Sequence, residues 1–171
     1  MLRRNLELKA RCNDLARARA AVRELVGVDP SVENQWDTYF NVPRGRLKLR
    51  EIDGQPAVLI SYARPNETAA RLSRYRLVPV PDPAALKAAL GDTLSIRAEV
   101  RKRREISLWH NIRIHLDEVA GLGTFIEFEA VLGEHDDEAL ARRRLDELRE
   151  RLQTEPADLL APSYVDLLSG E

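Results

Sequence analysis

The sequence NLELKAR, residues 5–11, alternates polar and apolar side chains without a break. Alternation with a period of two predicts a β-strand, because successive side chains of a strand point to opposite faces of a sheet. We expect Leu6, Leu8 and Ala10 to pack against a hydrophobic core. The other face of the strand then carries polar and charged side chains, namely Asn5, Glu7, Lys9 and Arg11.

The same alternation recurs along the rest of the chain. It predicts up to seven further strands, over Trp36–Val42, Arg46–Asp53, Ala57–Ala63, Ser73–Val80, Ser95–Trp109, Asn111–Val119 and Thr124–Leu132. Short connections join several of them, among them the Asp53-Gly54 turn. Strands joined by hairpin-length turns pair antiparallel, so the sequence predicts an antiparallel sheet.

Three segments carry apolar residues at helical spacing. Asn13 or Asp14 caps a helix over Leu15–Val26. A short helix is predicted over residues 83–90, and a charged helix runs from Asp136 to about Gln153. A last helical turn is predicted at Ser163–Leu168. Strands outnumber helices, which indicates an α+β fold with an antiparallel sheet or a closed barrel, and not a doubly wound parallel sheet.

The polar faces of the predicted strands differ in sign. Arg46, Lys48 and Arg50 share a basic face, whereas Glu127 and Glu129 share an acidic one. Mixed charges on one solvated face of a sheet are ordinary. Separate acidic and basic faces, however, are what binding of a divalent metal ion together with a polyphosphate requires. Carboxylates bind Mg²⁺ or Mn²⁺, and basic side chains neutralise phosphate oxygens. Closure of the sheet into a barrel would turn these faces into a lumen.

Composition narrows the class of protein. The 171 residues suit a single domain over residues 1–171, with 154–171 as a tail that holds a short helix. There are 27 basic and 28 acidic residues, so the net charge of −1 gives no general attraction to nucleic acid or to a membrane surface. No apolar run approaches the roughly 18 residues of a membrane span. The single Cys12 excludes an intramolecular disulfide, so we expect a cytoplasmic protein. We expect the protein to be a monomer or a homodimer.

Eight short segments, in order along the chain, carry a resemblance to a known family. They are NLELKAR (5–11), QWDTYF (35–40), GRLKLRE (45–51), SYARP (61–65), SRY (73–75), VRKRRE (100–105), IHLDEV (114–119) and GLGTFIEFE (121–129). Together they resemble the CYTH family, the triphosphate tunnel metalloenzymes, and within it the class IV adenylate cyclase-like branch. The closing SYVDLL at 163–168 is similar to the end of that branch.

The resemblance implies a closed antiparallel barrel of about eight strands that forms a tunnel, with helices packed outside. It also implies Mg²⁺ or Mn²⁺ as cofactor and a triphosphate small molecule as partner. Carried over position by position, the metal-binding acids are Glu7, Asp117, Glu127 and Glu129. The phosphate-binding residues are Lys9, Lys48, Arg50, Arg64, Arg74, Lys102, Arg104 and Arg113. Lys9 and Asp117 are the candidate catalytic residues.

Asn5 departs from the family pattern, which has Glu at this position. An amide oxygen still binds Mg²⁺, but the site loses one negative charge. Three functions stay open: cyclisation of ATP to cyclic AMP and pyrophosphate, hydrolysis of thiamine triphosphate or inorganic triphosphate, and non-catalytic sensing of a triphosphate. An enzyme is favoured over a sensor because every other matched position keeps the charge that its role requires, and the class IV resemblance favours the cyclase.

Overall fold

Eight antiparallel strands form a closed barrel in the computed structural model, which describes residues 2–133 and 135–170. The strands are β1 (Arg3–Arg11), β2 (Ser31–Phe40), β3 (Arg46–Ile52), β4 (Gln55–Ala63), β5 (Arg71–Val80), β6 (Ile96–Trp109), β7 (Ile112–Val119) and β8 (Gly123–Leu132). Their order around the barrel is β1-β5-β4-β3-β2-β6-β7-β8, and β1 closes the ring by pairing with β8. The prediction of a closed antiparallel barrel is confirmed.

Four α-helices accompany the barrel in the described residues. They are α1 (Leu15–Val26), α2 (Pro83–Leu94), α3 (Glu138–Arg151) and α4 (Tyr164–Ser169), with a 3₁₀ turn at Pro156–Asp158 before α4. The Asp14 carboxylate caps α1 by accepting a hydrogen bond from the Arg17 amide at 2.9 Å. None of these helices has the length and apolar character needed to cross a membrane.

Three of the boundaries that differ from the sequence prediction have a clear physical reason. β2 begins at Ser31 and not at Trp36, because its first residues pair with the long strand β6. α2 continues past Gly91 to Leu94, and the packing of Leu94 against the core outweighs the cost of about 1 kcal/mol of a helical glycine.

The third difference is at the start of α3. Asp137 caps this helix by accepting from the Ala139 amide at 2.8 Å, while Asp136 accepts from the Gly133 amide in the preceding turn. Two adjacent aspartates offer the same capping chemistry, so the sequence alone does not separate them.

The main hydrophobic core lies outside the barrel. Leu6, Leu8 and Ala10 of β1 pack outward, as predicted, together with the apolar faces of β7 and β8. Helices α1 and α3 cover this face, and Leu145 and Leu148 of α3 are fully buried against it. A smaller cluster joins α2 to β3 through Leu49. Because the apolar faces point out toward helices, the polar faces point into the lumen.

Helix α4 closes one end of the barrel. Tyr164 and Val165 are buried and pack against the inward-facing ends of four strands, at Tyr39, Val100, Val119 and Phe125. A capping box between Ser163 and Asp166 fixes the start of the helix. Asp166 also accepts from Arg46 of β3 at 2.8 Å, so an ion pair holds the helix to the barrel wall.

We expect Leu145→Ala to lower the free energy of unfolding by about 2–5 kcal/mol, because the fully buried side chain leaves a cavity between α3 and the sheet. Leu140→Ala on the same helix removes a side chain that is 39% exposed and serves as the matched control. Urea unfolding followed by circular dichroism measures both variants. Equal losses would contradict the placement of the core on the outer face of the barrel.

Candidate functional site

The barrel lumen forms a cavity of about 420 Å³ into which every second side chain of the strands points. Most of the predicted site residues line it. They are Asn5, Glu7, Lys9, Lys48, Arg50, Arg64, Lys102, Arg104, Arg113, Glu127 and Glu129. The closed barrel therefore brings together predicted side chains from the five strands β1, β3, β6, β7 and β8, and Arg64 from just past the end of β4.

The acidic and basic faces lie on opposite sides of the lumen. Strands β3 and β8 are four positions apart in either direction around the eight-stranded ring, so they face each other. β3 contributes Lys48 and Arg50, and β8 contributes Glu127 and Glu129. The basic pair of β3 and the acidic pair of β8, which are far apart in the sequence, therefore lie on opposite sides of the cavity.

One predicted phosphate-binding residue, Arg74, is not brought to the lumen. It is exposed on the outer face of β5, opposite Arg4 of β1, because the inward positions of this strand are Ser73, Tyr75 and Leu77. Arg71, which sequence reasoning missed, turns inward instead and is 1% exposed. The predicted strand began at Ser73, so it excluded Arg71 from the alternation.

A second missed residue, Asp37 of β2, organises the basic side of the lumen. This carboxylate is fully buried and binds three cations at once. Lys48 and Lys102 donate to Asp37 Oδ2 at 2.9 and 3.0 Å, and Arg50 donates to both oxygens at 2.7 Å. Asp37 lies on the same face of β2 as Gln35 and Tyr39, so alternation along this strand is the sequence feature that could have placed it in the lumen.

Burial and crowding shift the pKa values in this cluster. Burial, followed by the neighbouring Arg50, lowers the pKa of Lys48 to about 7. Burial also lowers the pKa of Lys102 to about 8. Although burial opposes the ionisation of Asp37, the charges of Arg50, Lys102 and Lys48 hold its pKa well below the usual range. The two lysines therefore titrate near neutral pH, and Asp37 is the anion that favours their protonated forms.

Asp117 of β7 is the anchor of a second buried cluster. Arg104 donates to its two oxygens at 2.7 and 2.6 Å, and the Tyr164 hydroxyl donates to Oδ2 at 2.7 Å. Burial opposes its ionisation, but Arg104 holds the pKa of Asp117 at about 2. Both oxygens of this carboxylate are engaged, so its immediate partners are Arg104 and helix α4.

The remaining acids lie on the adjacent strands β1 and β8. Glu7 and Glu129 are directly opposite each other in the strand register. Each is held by cations: Arg64 and Arg71 contact Glu7 at 3.1 and 3.2 Å, and Arg113 contacts Glu129 at 2.9 Å. Burial and then the charge of Glu127 raise the pKa of Glu7. Two like charges side by side in a buried place favour binding of a cation.

These residues fit a divalent metal in chemistry, although they are not yet gathered around one point. Asn5 donates its amide N–H to Glu129, which leaves the buried Asn5 Oδ1 without a hydrogen-bond partner. An orphaned amide oxygen beside two glutamates is a set of hard oxygen donors. Within the described ranges no three acidic, His or Cys side chains are close enough to hold an ion as they stand. Metal binding would require the glutamates to exchange arginine partners for the ion.

His115 of β7 lies between the two glutamates of β8. Its Nδ1 is 3.7 Å from Glu127 and its Nε2 is 3.8 Å from Glu129. Burial, followed by the charge of Arg104, lowers the pKa of His115. The neutral ring separates the two carboxylates without adding a positive charge between them.

Cations outnumber acids in and directly behind the cavity wall of the described barrel. Nine basic side chains, Arg3, Lys9, Lys48, Arg50, Arg64, Arg71, Lys102, Arg104 and Arg113, accompany six acidic ones, Glu7, Glu33, Asp37, Asp117, Glu127 and Glu129. The chain as a whole has a net charge of −1, so this excess is local. Arg3 is exposed and the Arg113 side chain is 39% exposed, so part of the surplus lies at the open end of the lumen. A surplus of positive charge in a poorly solvated cavity is costly unless an anion balances it, so the lumen favours binding of a multiply charged anion.

A larger depression, of about 1090 Å³, lies mainly over the outer face of the barrel. Its lining includes the outward-facing Trp36, Glu51, Arg101, Arg103 and Glu118. These charges are mixed in sign, and none of the buried acids of the lumen reaches it. The tunnel, and not this outer surface, is the candidate site.

A closed eight-stranded barrel with a charged lumen defines a protein of the triphosphate tunnel fold. Comparison with known families agrees: the CYTH domain model matches residues 3–164, and the chain belongs to the CYTH family. No curated protein matches the chain.

Several solved structures are similar to this one. The PH1012 protein from Pyrococcus horikoshii superposes with a TM-score of 0.82 at 21% identity, over 95% of this chain and 98% of its own. A candidate adenylate cyclase from Vibrio parahaemolyticus has a TM-score of 0.72 at 22% identity, over 96% and 97% of the two chains. An adenylyl cyclase candidate from Hippeastrum, with a dominant triphosphatase activity, has a TM-score of 0.65 at 16% identity, over 99% and 96%. At these identities the likeness establishes the fold.

We expect Asp37→Asn to change the affinity for inorganic triphosphate in opposite directions at acidic pH and near pH 7. At the acid end of the range both lysines are protonated, so loss of one negative charge strengthens binding of the anion. Near pH 7 wild type still carries the charge of Lys102 and part of that of Lys48, and the variant binds more weakly because the carboxylate that raises both lysine pKa values is gone. Isothermal titration calorimetry from pH 5.5 to 9 measures both proteins.

Asp53→Asn, which changes an exposed aspartate beyond the end of β3, is the matched control for net charge. Protonation of the ligand is the same for all three proteins and cancels in the ratio of affinities. An affinity ratio of Asp37→Asn to wild type that stays constant across the pH range would contradict this account of the basic cluster.

Proposed function

We propose that this protein is a divalent-metal-dependent enzyme that acts on a triphosphate, and that its reaction is the cyclisation of ATP to cyclic AMP and pyrophosphate. The observation that carries the proposal is the excess of cations that line, together with the glutamates of β8, a lumen closed at one end. A triphosphate supplies the missing negative charge, and no neutral ligand would.

The basic cluster binds the phosphate chain. Lys48, Arg50 and Lys102 share the single carboxylate of Asp37, so they retain hydrogen-bonding capacity for phosphate oxygens. These side chains are positioned before the ligand arrives, and they stabilise the charge that develops on the leaving pyrophosphate. Catalysis here is mainly positioning and electrostatics.

The metal site is assigned to the oxygen donors of β1 and β8. Asn5, Glu7, Glu127 and Glu129 would hold Mg²⁺ or Mn²⁺, whose charge polarises the attacked phosphoryl group. Asp117 was also predicted as a ligand, but its engagement by Arg104 and Tyr164 supports a role in positioning Arg104.

Lys9 is the better of the two candidate bases. Its pKa is lowered by burial, and its Nζ lies 3.9 Å from Glu127 and 3.7 Å above the Tyr164 ring. A lysine whose pKa is lowered by burial gives up its proton more readily and so becomes available as a base, whereas a carboxylate with a pKa of about 2 is a weak base. In the cyclase reaction the 3′-hydroxyl gives its proton to the unprotonated form of Lys9, its oxygen bonds to the α-phosphorus, and the bond to pyrophosphate breaks.

Hydrolysis is the second candidate function. It is favoured by the likeness to the Hippeastrum protein with its dominant triphosphatase activity. In this reaction water attacks the terminal phosphorus within the same set of basic residues, so cyclase and hydrolase differ in which phosphorus is aligned with the nucleophile.

Incubation of the purified protein with ATP, thiamine triphosphate or inorganic triphosphate, with Mg²⁺ or Mn²⁺, separates the functions by their products on ion-exchange chromatography. Cyclic AMP with pyrophosphate supports the cyclase. ADP with orthophosphate supports the hydrolase, and tight binding without turnover supports only a sensor.

We expect Glu129→Ala to abolish metal-dependent turnover, because it removes an oxygen donor of the proposed metal site. Glu118→Ala changes an exposed acid on the outer face of β7 and should keep turnover.

We expect Asn5→Glu to lower the melting temperature in EDTA, because the new carboxylate faces Glu129 in place of an amide donor. Mn²⁺ should then stabilise this variant more than wild type, since binding to the folded state raises stability by mass action. Differential scanning fluorimetry across a Mn²⁺ titration measures both effects, with Asn5→Gln as the neutral control. Equal Mn²⁺ stabilisation of all three proteins would exclude Asn5 from the metal site.

A further inference from the structure

The lumen has an uncharged wall on strands β4 and β5. Its apolar and aromatic side chains are Val58 and Ile60 on β4 and Tyr75 and Leu77 on β5, and the polar residues Gln55 and Ser73 of the same strands are uncharged as well. Each of the other six strands places at least one charged side chain in the described part of the cavity. The lumen is therefore amphipathic around its circumference.

The uncharged wall adjoins the basic side of the lumen. In the strand register Val58 is opposite Arg50, and Ile60 is opposite both Lys48 on β3 and Leu77 on β5. A group bound to Lys48 and Arg50 thus has apolar side chains as its immediate neighbours on one side.

These side chains lie outside the main hydrophobic clusters, and of the four only Ile60 is buried. None of Val58, Ile60, Tyr75 and Leu77 belongs to the three hydrophobic clusters formed by the described residues. The outward residues Ala57 and Leu59 of β4 supply its core contacts. β4 is therefore apolar on both faces, although one face borders a charged cavity. Val58 and Leu77 are partly exposed there, and a ligand that covers this apolar surface gains stability from it.

We infer that this wall binds the uncharged ring end of an organic triphosphate and so selects organic triphosphates over inorganic triphosphate. The inference rests on the proposed function and adds to it the element that determines specificity. Inorganic triphosphate is charged along its whole length, so it gains nothing from Val58 and Leu77. A nucleoside triphosphate places phosphates on Lys48 and Arg50 and a flat ring against the apolar side chains, with Tyr75 available for stacking.

The test compares ATP with inorganic triphosphate in wild type, Leu77→Ser and Val78→Ser. Leu77 points into the lumen, whereas its neighbour Val78 is 51% exposed on the outer face, so the pair differs only in which side of the strand is changed. Isothermal titration calorimetry is run with Mn²⁺ and again in EDTA. Val58→Ser repeats the comparison on β4, and circular dichroism confirms that each variant is folded.

We expect Leu77→Ser to weaken ATP binding about tenfold and to leave inorganic triphosphate binding unchanged, because it removes apolar contact only. Val78→Ser should change neither affinity. Equal weakening of both ligands, or no weakening of ATP by Leu77→Ser and Val58→Ser, would overturn the inference while wild-type binding of triphosphate still supports the proposed function. Failure of wild type to bind either ligand would reject the proposed function itself.

Discussion

Closure of the sheet is the constraint on which the rest of the structure depends. A closed ring of eight strands encloses a lumen too narrow for bulk water to solvate every charge, so a charged side chain inside it needs a partner. Asp37 meets three cations, Asp117 meets Arg104, and Glu7 meets Arg64 and Arg71. These pairs hold the charged side chains apart and in place, ready to exchange partners with an incoming anion or metal.

Much of the fold was readable from alternation alone. NLELKAR fixes both the strand and its two faces, and it correctly assigns Leu6 and Leu8 to the core. Alternation alone does not predict where each strand or helix begins and ends. β2 starts at Ser31 because β6 is long enough to pair with it, and α2 passes Gly91 because Leu94 has a core to pack against. Both boundaries are set by tertiary contacts.

The candidate site followed from parity wherever the strand was placed correctly. Lys48 and Arg50 reach the lumen by this argument, and Lys102 and Arg104, which the family resemblance assigned, reach it as well. Arg74 does not, because its inward neighbours are Ser73 and Tyr75, and Arg71 stood outside the predicted strand. Asp37 was missed for another reason: alternation places it on the inward face of β2, but which cations surround it is known only from the folded barrel. The roles of these residues remain proposals, but their positions are those of the folded barrel.

Helix α4 makes the tunnel a blind passage with one entrance. Tyr164 and Val165 fill the far end, and Leu160, just before the helix, bonds through its amide to the Lys9 carbonyl at 2.9 Å. A molecule that enters phosphates first must leave in reverse order. Whatever fragment stays at the mouth departs before the fragment held deep among the basic residues. Under the proposed function the phosphate product is then the last to leave and competes directly with the next substrate, which would tie turnover to the concentration of free pyrophosphate or phosphate around the protein.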